Sequence, residues 1–120
     1  MHELSLARSI GEIAVATLRE QPQRESLRVG RIRVKVGELS GVEPDALTFC
    51  FEVVRGEWVE AEGAALDIER CPARVICSRC GVEEDFTIDV PHCRVCGGPY
   101  RGVTGGRELE VFGVELVTVG

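Results

Sequence analysis

Cys77-Ser78-Arg79-Cys80 and Cys93-Arg94-Val95-Cys96 are the stretches that decide the fold, because each is a Cys-x-x-Cys pair and twelve residues separate them. Within each pair a tight turn brings both sulfurs to one side of the chain. Two such turns on facing hairpins supply four thiolates in the tetrahedral arrangement that Zn²⁺ favours. A glycine follows each pair, at Gly81 and Gly97, where a positive φ lets backbone N–H groups turn toward the sulfurs. The spacing therefore predicts a zinc ribbon held by Cys77, Cys80, Cys93 and Cys96.

The predicted zinc is structural, because four cysteines leave no coordination position open for a catalytic water. The ribbon is too small to bury a sufficient core, so metal binding is expected to supply most of its folding free energy, on the order of 10 kcal/mol. His92 directly precedes Cys93. It is either a partner of the metal centre, a substitute ligand or an exposed loop histidine, and we favour the exposed loop.

Two further cysteines stand apart from these pairs. Cys50 lies on the predicted apolar side of a helix and is most simply a small buried hydrophobe. Cys71, next to Pro72, is either a buried strand end or a loose thiol. Neither has a histidine base nearby in the sequence, so a cysteine nucleophile is not expected.

Composition excludes several classes of protein. The chain has 120 residues, enough for one compact domain or for a domain with a small appendage, and 44% of them are hydrophobic. Its formal net charge of −6 gives it little reason to bind the phosphates of nucleic acid. Paired cysteines fit reduced thiols and a metal better than a secreted disulfide scaffold. With neither a signal-peptide core nor a membrane-spanning stretch, the protein is expected to be cytoplasmic.

The residues outside the ribbon show helical and extended patterns. An amphipathic first helix is predicted from near residue 4 to a stop before Pro22, with its apolar positions at Leu6, Ile10, Ile13, Ala14, Thr17 and Leu18. Alternation predicts a first strand with one buried and one cationic face, formed by Ile32, Val34 and Val36 against Arg31, Arg33 and Lys35. Pro44 suits the first position of a second helix, whose apolar side carries Leu47, Cys50, Phe51 and Val54.

Two more strands complete the predicted fold. Leu66 and Ile68 alternate with Asp67 and Glu69 in the second strand. The last strand alternates in opposite phases before and after Phe112-Gly113, so a β-bulge is expected there. Its anionic side chains suit pairing with the cationic first strand across one sheet face. Inside the ribbon, apolar and polar residues alternate from Asp85 to Val90.

The predicted fold class is therefore α+β, with two helices on a small three-stranded sheet and an inserted Cys₄ zinc ribbon. The main domain is discontinuous, comprising residues 1–70 plus 108–120. The ribbon domain spans residues 71–107, between the second and the last strand.

The amino terminus is a second candidate metal site. The α-amine of Met1, the amide nitrogen of His2 and the His2 imidazole can close consecutive chelate rings around one ion. Nitrogen donors in a plane suit Ni²⁺ or Cu²⁺. The amide or carboxylate of Glu3 is available to complete the coordination. The alternative is an ordinary Met-His start that binds nothing.

Three blocks of the sequence form a recognisable set. They are the start Met1-His2-Glu3-Leu4-Ser5-Leu6, the block Val36-Gly37-Glu38-Leu39-Ser40-Gly41-Val42-Glu43-Pro44-Asp45-Ala46-Leu47 that leads to Phe51-Glu52, and the closing Gly106-Arg107-Glu108-Leu109. The paired cysteines lie between the last two. Together these features resemble the HypA/HybF family of nickel metallochaperones for [NiFe] hydrogenase maturation. The likeness covers essentially the whole chain.

The resemblance implies a fold, two metals and a set of partners. His2 would coordinate nickel with nearby backbone nitrogens, next to the acidic Glu3, and the four cysteines would bind structural zinc. The family's fold combines two helices with a small three-stranded sheet. Its members cooperate with a nickel-handling GTPase and hand nickel toward the hydrogenase large subunit, and some relatives also serve urease. The sequence does not decide between a monomer and a homodimer, which would form by helix exchange or by sharing the terminal site.

The main alternative is a zinc-ribbon module that binds nucleic acid or a protein partner. Five arginines give the ribbon some cationic surface: Arg74, Arg79, Arg94, Arg101 and Arg107. The overall acidity and the scarcity of aromatic residues for base stacking argue against nucleic acid. A hydrolase that uses zinc-bound water is disfavoured because the cysteine set is closed. The sequence therefore favours a carrier of metal over an enzyme.

Overall fold

The computed structural model describes residues 3–119. The chain forms helix α1 (Glu3–Arg19), strand β1 (Leu27–Gly37) and helix α2 (Pro44–Val54), and then strands β2 (Ala65–Cys71), β3 (Arg74–Cys77), β4 (Glu83–Asp85), β5 (Tyr100–Gly105) and β6 (Leu109–Thr118). Short 3₁₀ turns precede β1 and follow α2. Met1 and His2, on which the predicted nickel site depends, lie outside the described residues. Within residues 3–119 no helix is long and apolar enough to span a membrane.

Two three-stranded sheets confirm the predicted fold class. The first has the order β2-β1-β6, with β1 parallel to β2 and antiparallel to β6. The second belongs to the ribbon and has the order β4-β3-β5, with every pair antiparallel. In the sequence, the ribbon strands β3, β4 and β5 come between β2 and β6.

The main core lies between the two helices and one face of the first sheet. Its fully buried members include Phe51, Leu47, Leu18, Ile32 and Val34. Glu43 caps α2, because its carboxylate accepts a hydrogen bond of 2.7 Å from the Ala46 N–H, and Pro44 follows as the first helical residue. The predicted start of the second helix is therefore confirmed.

The predicted apolar face of α1 needs two corrections. Ile10, Ala14 and Leu18 are buried as expected, but Val15, outside the predicted set, is buried as well. Ile13, however, is 50% exposed. It lies on the side of the helix that faces β6, the last strand of the sheet on that side, and no further strand among residues 3–119 covers it.

The helix-free face of the first sheet carries charge pairs on both sides of β1. Arg33 lies 3.0 Å from Glu115 of β6, which is the predicted pairing, and Arg31 lies 3.6 Å from Asp67 of β2, a pair that was not predicted. These side chains are about half exposed, so each pair contributes at most about 1 kcal/mol. Pairing shifts by one residue where Arg33 and Val34 meet Gly113 and Val111, which confirms the predicted bulge.

Backbone hydrogen bonds from the end of β1 join the ribbon to the main sheet. The N–H of Gly37 donates to the Glu108 carbonyl at 2.7 Å, and that of Leu39 donates to the Gly106 carbonyl at 2.6 Å. Between them, the Glu38 N–H donates to the Cys71 carbonyl at 2.9 Å. Both connections to the ribbon are thus held by three successive amides, an arrangement that we name the junction.

The alternation predicted inside the ribbon does not form one strand. β4 ends at Asp85, and the backbone then turns so that Thr87 forms an isolated bridge with Val90. Ile88 at the tip of this turn is 85% exposed. Pro91 follows directly and cannot donate a ladder hydrogen bond, so the extended run stops there.

Candidate metal centre

The structure brings Cys77, Cys80, Cys93 and Cys96 together, with all four sulfur atoms within 4.8 Å of one another. Sγ of Cys77 lies 3.5 Å from Sγ of Cys96, and Sγ of Cys80 lies 3.7 Å from Sγ of Cys93. A tetrahedral zinc ion with Zn–S bonds of about 2.3 Å requires sulfur–sulfur edges of about 3.8 Å. The cluster therefore has the size of a Cys₄ zinc site.

The two Cys-x-x-Cys turns have closely similar backbones. The Cys77 N–H donates to the Val82 carbonyl at 3.0 Å, and the Cys93 N–H donates to the Gly98 carbonyl at 2.9 Å. Gly81 and Gly97, one residue after each pair, have φ values of 75° and 76°. L-residues with a Cβ rarely adopt such values, which explains the glycine at both positions.

Backbone amides point at two of the sulfurs. The Arg79 N–H donates to Sγ of Cys77 at 3.3 Å, and the Val95 N–H donates to Sγ of Cys93 at 3.4 Å. Such donors stabilise a thiolate. Hydrogen bonds from the amides of Cys80 and Arg79 lower the pKa of the Cys77 thiol to about 6.

The cluster nevertheless needs a cation to hold four thiolates. The Val82 amide lowers the pKa of Cys80, but burial and the three neighbouring cysteines outweigh it and raise that pKa to about 12. A divalent ion would offset the repulsion among the sulfurs and let all four ionise. The donor set fits zinc, because soft thiolates in a tetrahedron suit it and the backbone is already folded around the four sulfurs.

A carboxylate and a phenol hold the second cysteine turn against the ribbon sheet. Oε1 of Glu84 in β4 accepts a hydrogen bond of 3.1 Å from the Arg94 N–H and lies 2.7 Å from the Tyr100 hydroxyl. That hydroxyl is also 2.8 Å from the His92 carbonyl. The Tyr100 hydrogen bond and the Arg94 amide lower the pKa of Glu84, so the carboxylate is ionised at neutral pH.

Replacing Glu84 with alanine should loosen the second cysteine turn, because the hydrogen bonds from Arg94 and Tyr100 lose their shared acceptor. We expect the zinc-loaded variant to lose its metal to an excess of chelator roughly tenfold faster than the unaltered chain. A colorimetric chelator assay measures the rate. Glu83→Ala is the matched control, since Glu83 is exposed on the same strand. Equal rates for the two variants would show that this network does not hold the site.

The remaining candidates lie apart from the cluster. His92 is exposed in the loop before Cys93, as favoured from the sequence. Cys50 is half-buried against the main core, a more exposed position than the sequence suggested. Cys71 ends β2, where burial and then the Glu108 carboxylate raise the pKa of its thiol. Within residues 3–119, the four cysteines of the ribbon are the only group of three or more acidic, His or Cys side chains close enough together to share a metal ion.

Glu3 is the one predicted nickel residue that the structure describes. It begins α1, and its Oε2 accepts a hydrogen bond of 3.3 Å from the N–H of Glu43, the residue that caps α2. The two helices therefore begin at the same end of the molecule. The hydrogen bond that the Glu3 carboxylate accepts links the starts of the two helices.

Glu84 and Tyr100 are site residues that the sequence did not single out. They lie sixteen positions apart on strands that both flank β3, and they meet only because the ribbon sheet brings them there. Their residue types carry no spacing rule of the kind that marks a cysteine pair.

Comparison with known proteins finds relatives that match almost the whole chain. A family model described as "Hydrogenase/urease nickel incorporation, metallochaperone, hypA" matches residues 1–116. The hydrogenase maturation factor HypA of Azoarcus sp. (strain BH72) is 40% identical over 116 residues, covering 97% of this chain and 98% of that protein.

Two solved structures share the fold. The solution structure of the Ni metallochaperone HypA from Helicobacter pylori superposes with a TM-score of 0.58 at 24% identity, covering 98% of this chain and 99% of that one. A second structure, described as the solution structure of HypA protein, gives a TM-score of 0.68 at 23% identity, with coverages of 98% and 97%.

Proposed function

The chain belongs to the HypA family of nickel-incorporation metallochaperones for hydrogenase and urease, and on that basis we propose that it binds Ni²⁺ at its amino terminus and delivers it for maturation of [NiFe] hydrogenase. The observation that carries the proposal is the family match from residue 1 to residue 116, which includes the amino terminus as well as the cysteine cluster. Members of such a family are maturation factors rather than catalysts.

Nickel, the cargo, is proposed to bind to His2 together with the amine of Met1 and with Glu3. Support comes from the anchoring of Glu3, whose Oε2 accepts a hydrogen bond from the N–H of Glu43, the residue that caps α2. The backbone nitrogen of Glu3 and its other carboxylate oxygen are both candidates for the metal. A site at a chain end suits a carrier, because terminal segments open at little cost in free energy.

Zinc, the resident metal, is proposed to be held by Cys77, Cys80, Cys93 and Cys96. When bound, it supplies positive charge to four thiolates and crosslinks the two cysteine turns. The backbone amides of Arg79 and Val95 and the Glu84–Tyr100 contact then hold those turns in place. We propose on this basis that residues 71–107 are a separate zinc-ribbon domain, and that residues 1–70 plus 108–120 form the nickel-binding domain.

The proposed partners are the nickel-handling GTPase of hydrogenase maturation and the hydrogenase large subunit, with a homodimer as a further assembly. Nucleic acid is disfavoured. Arg74 pairs with Asp85 at 2.6 Å, and Arg94 donates to the Asp85 carbonyl at 2.9 Å. These two arginines are thus engaged inside the ribbon, and the chain as a whole carries a charge of −6.

Calorimetric titration of the untagged, zinc-loaded chain with Ni²⁺ tests the proposal. We expect one nickel per chain, lost in His2→Ala while the zinc content stays unchanged. His92→Ala is the matched control and should bind nickel normally, because His92 is an exposed loop residue. Nickel binding that survives His2→Ala, or that requires His92, would move the site away from the amino terminus.

Nickel affinity should also fall with acidification, because only the neutral imidazole of His2 can coordinate a metal. Histidine ordinarily has a pKa of about 6.5 and an α-amine one of about 7.7–8.0, so we expect affinity to fall below about pH 8 as the Met1 amine takes up a proton, and more steeply below about pH 6.5 as His2 does so too. Titrations between pH 5.5 and 8 measure this. An affinity that did not change over that range would contradict coordination by His2.

A further inference from the structure

Helix α1 carries more apolar surface than the sheet beneath it covers. Leu6 is half-buried and Ile13 is 50% exposed, and both lie on the side of the helix that faces β6. An exposed isoleucine at the centre of a helix side that also carries Leu6 and Ile10 differs from the scattered apolar residues normal on a surface.

Strand β6 is an edge of the main sheet. It runs for ten residues, pairs with β1 on one side and has no strand on its other side among residues 3–119. An edge strand of this length presents a row of unpaired N–H and C=O groups, which another extended segment can pair with. Neither lysine nor proline occurs along it to block such pairing.

A groove of about 320 Å³ lies between this edge and the uncovered side of α1. Its helix wall is Leu6, Ser9, Ile10 and Ile13, and its strand wall is Leu109, Glu110 and Val111. A strand that paired with Leu109–Val111 would direct alternate side chains into this groove. Those side chains would need to be apolar.

The opposite face of such a strand would need to be basic. On the helix-free face of the sheet, cationic side chains of β1 stand beside anionic side chains of β6, with Lys35 opposite Glu110 and Arg33 bonded to Glu115. A strand on the far side of β6 would meet Glu110 and Glu115 from the other flank. Cations there would continue the alternation of charge across the sheet.

We propose that the free edge of β6 is a docking site for an extended protein segment in which apolar residues alternate with lysine or arginine. The segment adds a fourth strand to the main sheet and places its apolar side chains under Leu6 and Ile13. The groove begins at Leu6, within one turn of the start of α1 at Glu3. This proposal goes beyond the proposed function and does not depend on nickel.

A second copy of this chain fits the site less well. Pairing β6 with β6 of another copy would bring the acidic column of one strand against the acidic column of the other. Like charges on neighbouring strands destabilise pairing. A basic partner segment avoids this cost.

The chain itself contains a suitable probe, because β1 already pairs with β6 through an alternating basic and apolar sequence. We would titrate the zinc-loaded chain, without nickel, with an end-blocked peptide copying Arg31–Val36, and follow backbone amides by NMR and hydrogen exchange. Binding should shift and protect the amides of Leu109–Val111 and perturb the Ile13 methyl groups. A peptide with glutamate in place of each basic residue should bind about tenfold more weakly or worse.

Substitutions in the groove give the second arm of the test. Ile13→Lys should weaken the peptide about tenfold, because it places a charge where an apolar contact is expected. Val53→Lys is the matched control, since Val53 is a 59% exposed valine on α2. Circular dichroism would confirm that both variants fold.

Four outcomes would overturn the proposal. They are no protection of Leu109–Val111 by the peptide, equal binding of the charge-inverted peptide, no effect of Ile13→Lys, and a concentration-dependent dimer that Ile13→Lys abolishes. The last would assign the edge to a second copy. The comparison of peptides needs no variant, so the test holds even if Ile13→Lys fails to fold.

Discussion

Replacing Cys93 with serine should release the zinc and unfold residues 74–105, while the sheet formed by β2, β1 and β6 stays folded. Cys93 is only 4% exposed, and its sulfur is within 3.7 Å of that of Cys80. Rearranging this buried site around a replacement ligand would therefore cost free energy. The ribbon has few buried side chains of its own, chiefly Ala73, Val75 and two of the cysteines. Metal binding worth on the order of 10 kcal/mol is therefore expected to dominate its stability.

Metal analysis together with an NMR spectrum of the backbone amides would measure both effects. Cys50→Ser is the matched control, since Cys50 is a half-buried cysteine on α2 away from the cluster. It should keep one zinc per chain and the ribbon resonances. A Cys93→Ser variant that retained zinc and a folded ribbon would show that three cysteines suffice.

Gly37→Ala should destabilise the main domain by about 2–4 kcal/mol and separate the ribbon from it. A Cβ at position 37 would overlap the Gly106 carbonyl and lie 2.8 Å from the Arg107 nitrogen. These are backbone atoms, so no side-chain rotation relieves the overlap. The chain would have to move apart at the junction and lose the hydrogen bonds from Gly37 and Leu39.

Chemical denaturation followed by circular dichroism would measure the loss of stability. Gly56→Ala is the control, because a Cβ there meets nothing within 4 Å and the residue does not require a positive φ. It should leave the free energy of unfolding nearly unchanged. A Gly37→Ala protein as stable as Gly56→Ala would mean that the close approach at the junction is easily relaxed.

Local patterns predicted most of the fold. The period-two alternation of β1 and the reversal of phase near Phe112 follow directly from strand geometry, so both the strand and its bulge could be located. Ile13 could not be placed, because its helical position is apolar whether or not a strand lies beneath it. How far a sheet extends under a helix depends on the number of strands, which the pattern of one helix does not report.

The candidate metal centre was likewise predictable only in part. The cysteines could be identified from sequence because a zinc knuckle needs two thiols at a fixed short spacing. The Glu84–Tyr100 contact depends on the pairing of two strands with β3, and no short motif records it. The hydrogen bonds of the junction amides at Gly37, Glu38 and Leu39 could not be predicted for the same reason. The sequence block that contains these residues nevertheless contributes to the family resemblance.

The meeting of two helix starts at Glu3 and Glu43 has an electrostatic consequence for an arriving metal ion. Each helix contributes about half a positive charge at its beginning, which would repel a cation. The carboxylates of Glu3 and Glu43 together bring two full negative charges to the same place, while Asp45 is offset by Arg70 at 3.4 Å. Once the Met1 amine has lost its proton, the two carboxylates outweigh the roughly one positive charge of the two helix starts, so the field there draws divalent ions inward, and at 0.1 M salt it is screened over about 10 Å. Capture of a metal ion by the proposed amino-terminal site should therefore slow as ionic strength rises, even though the coordinating atoms themselves are unchanged.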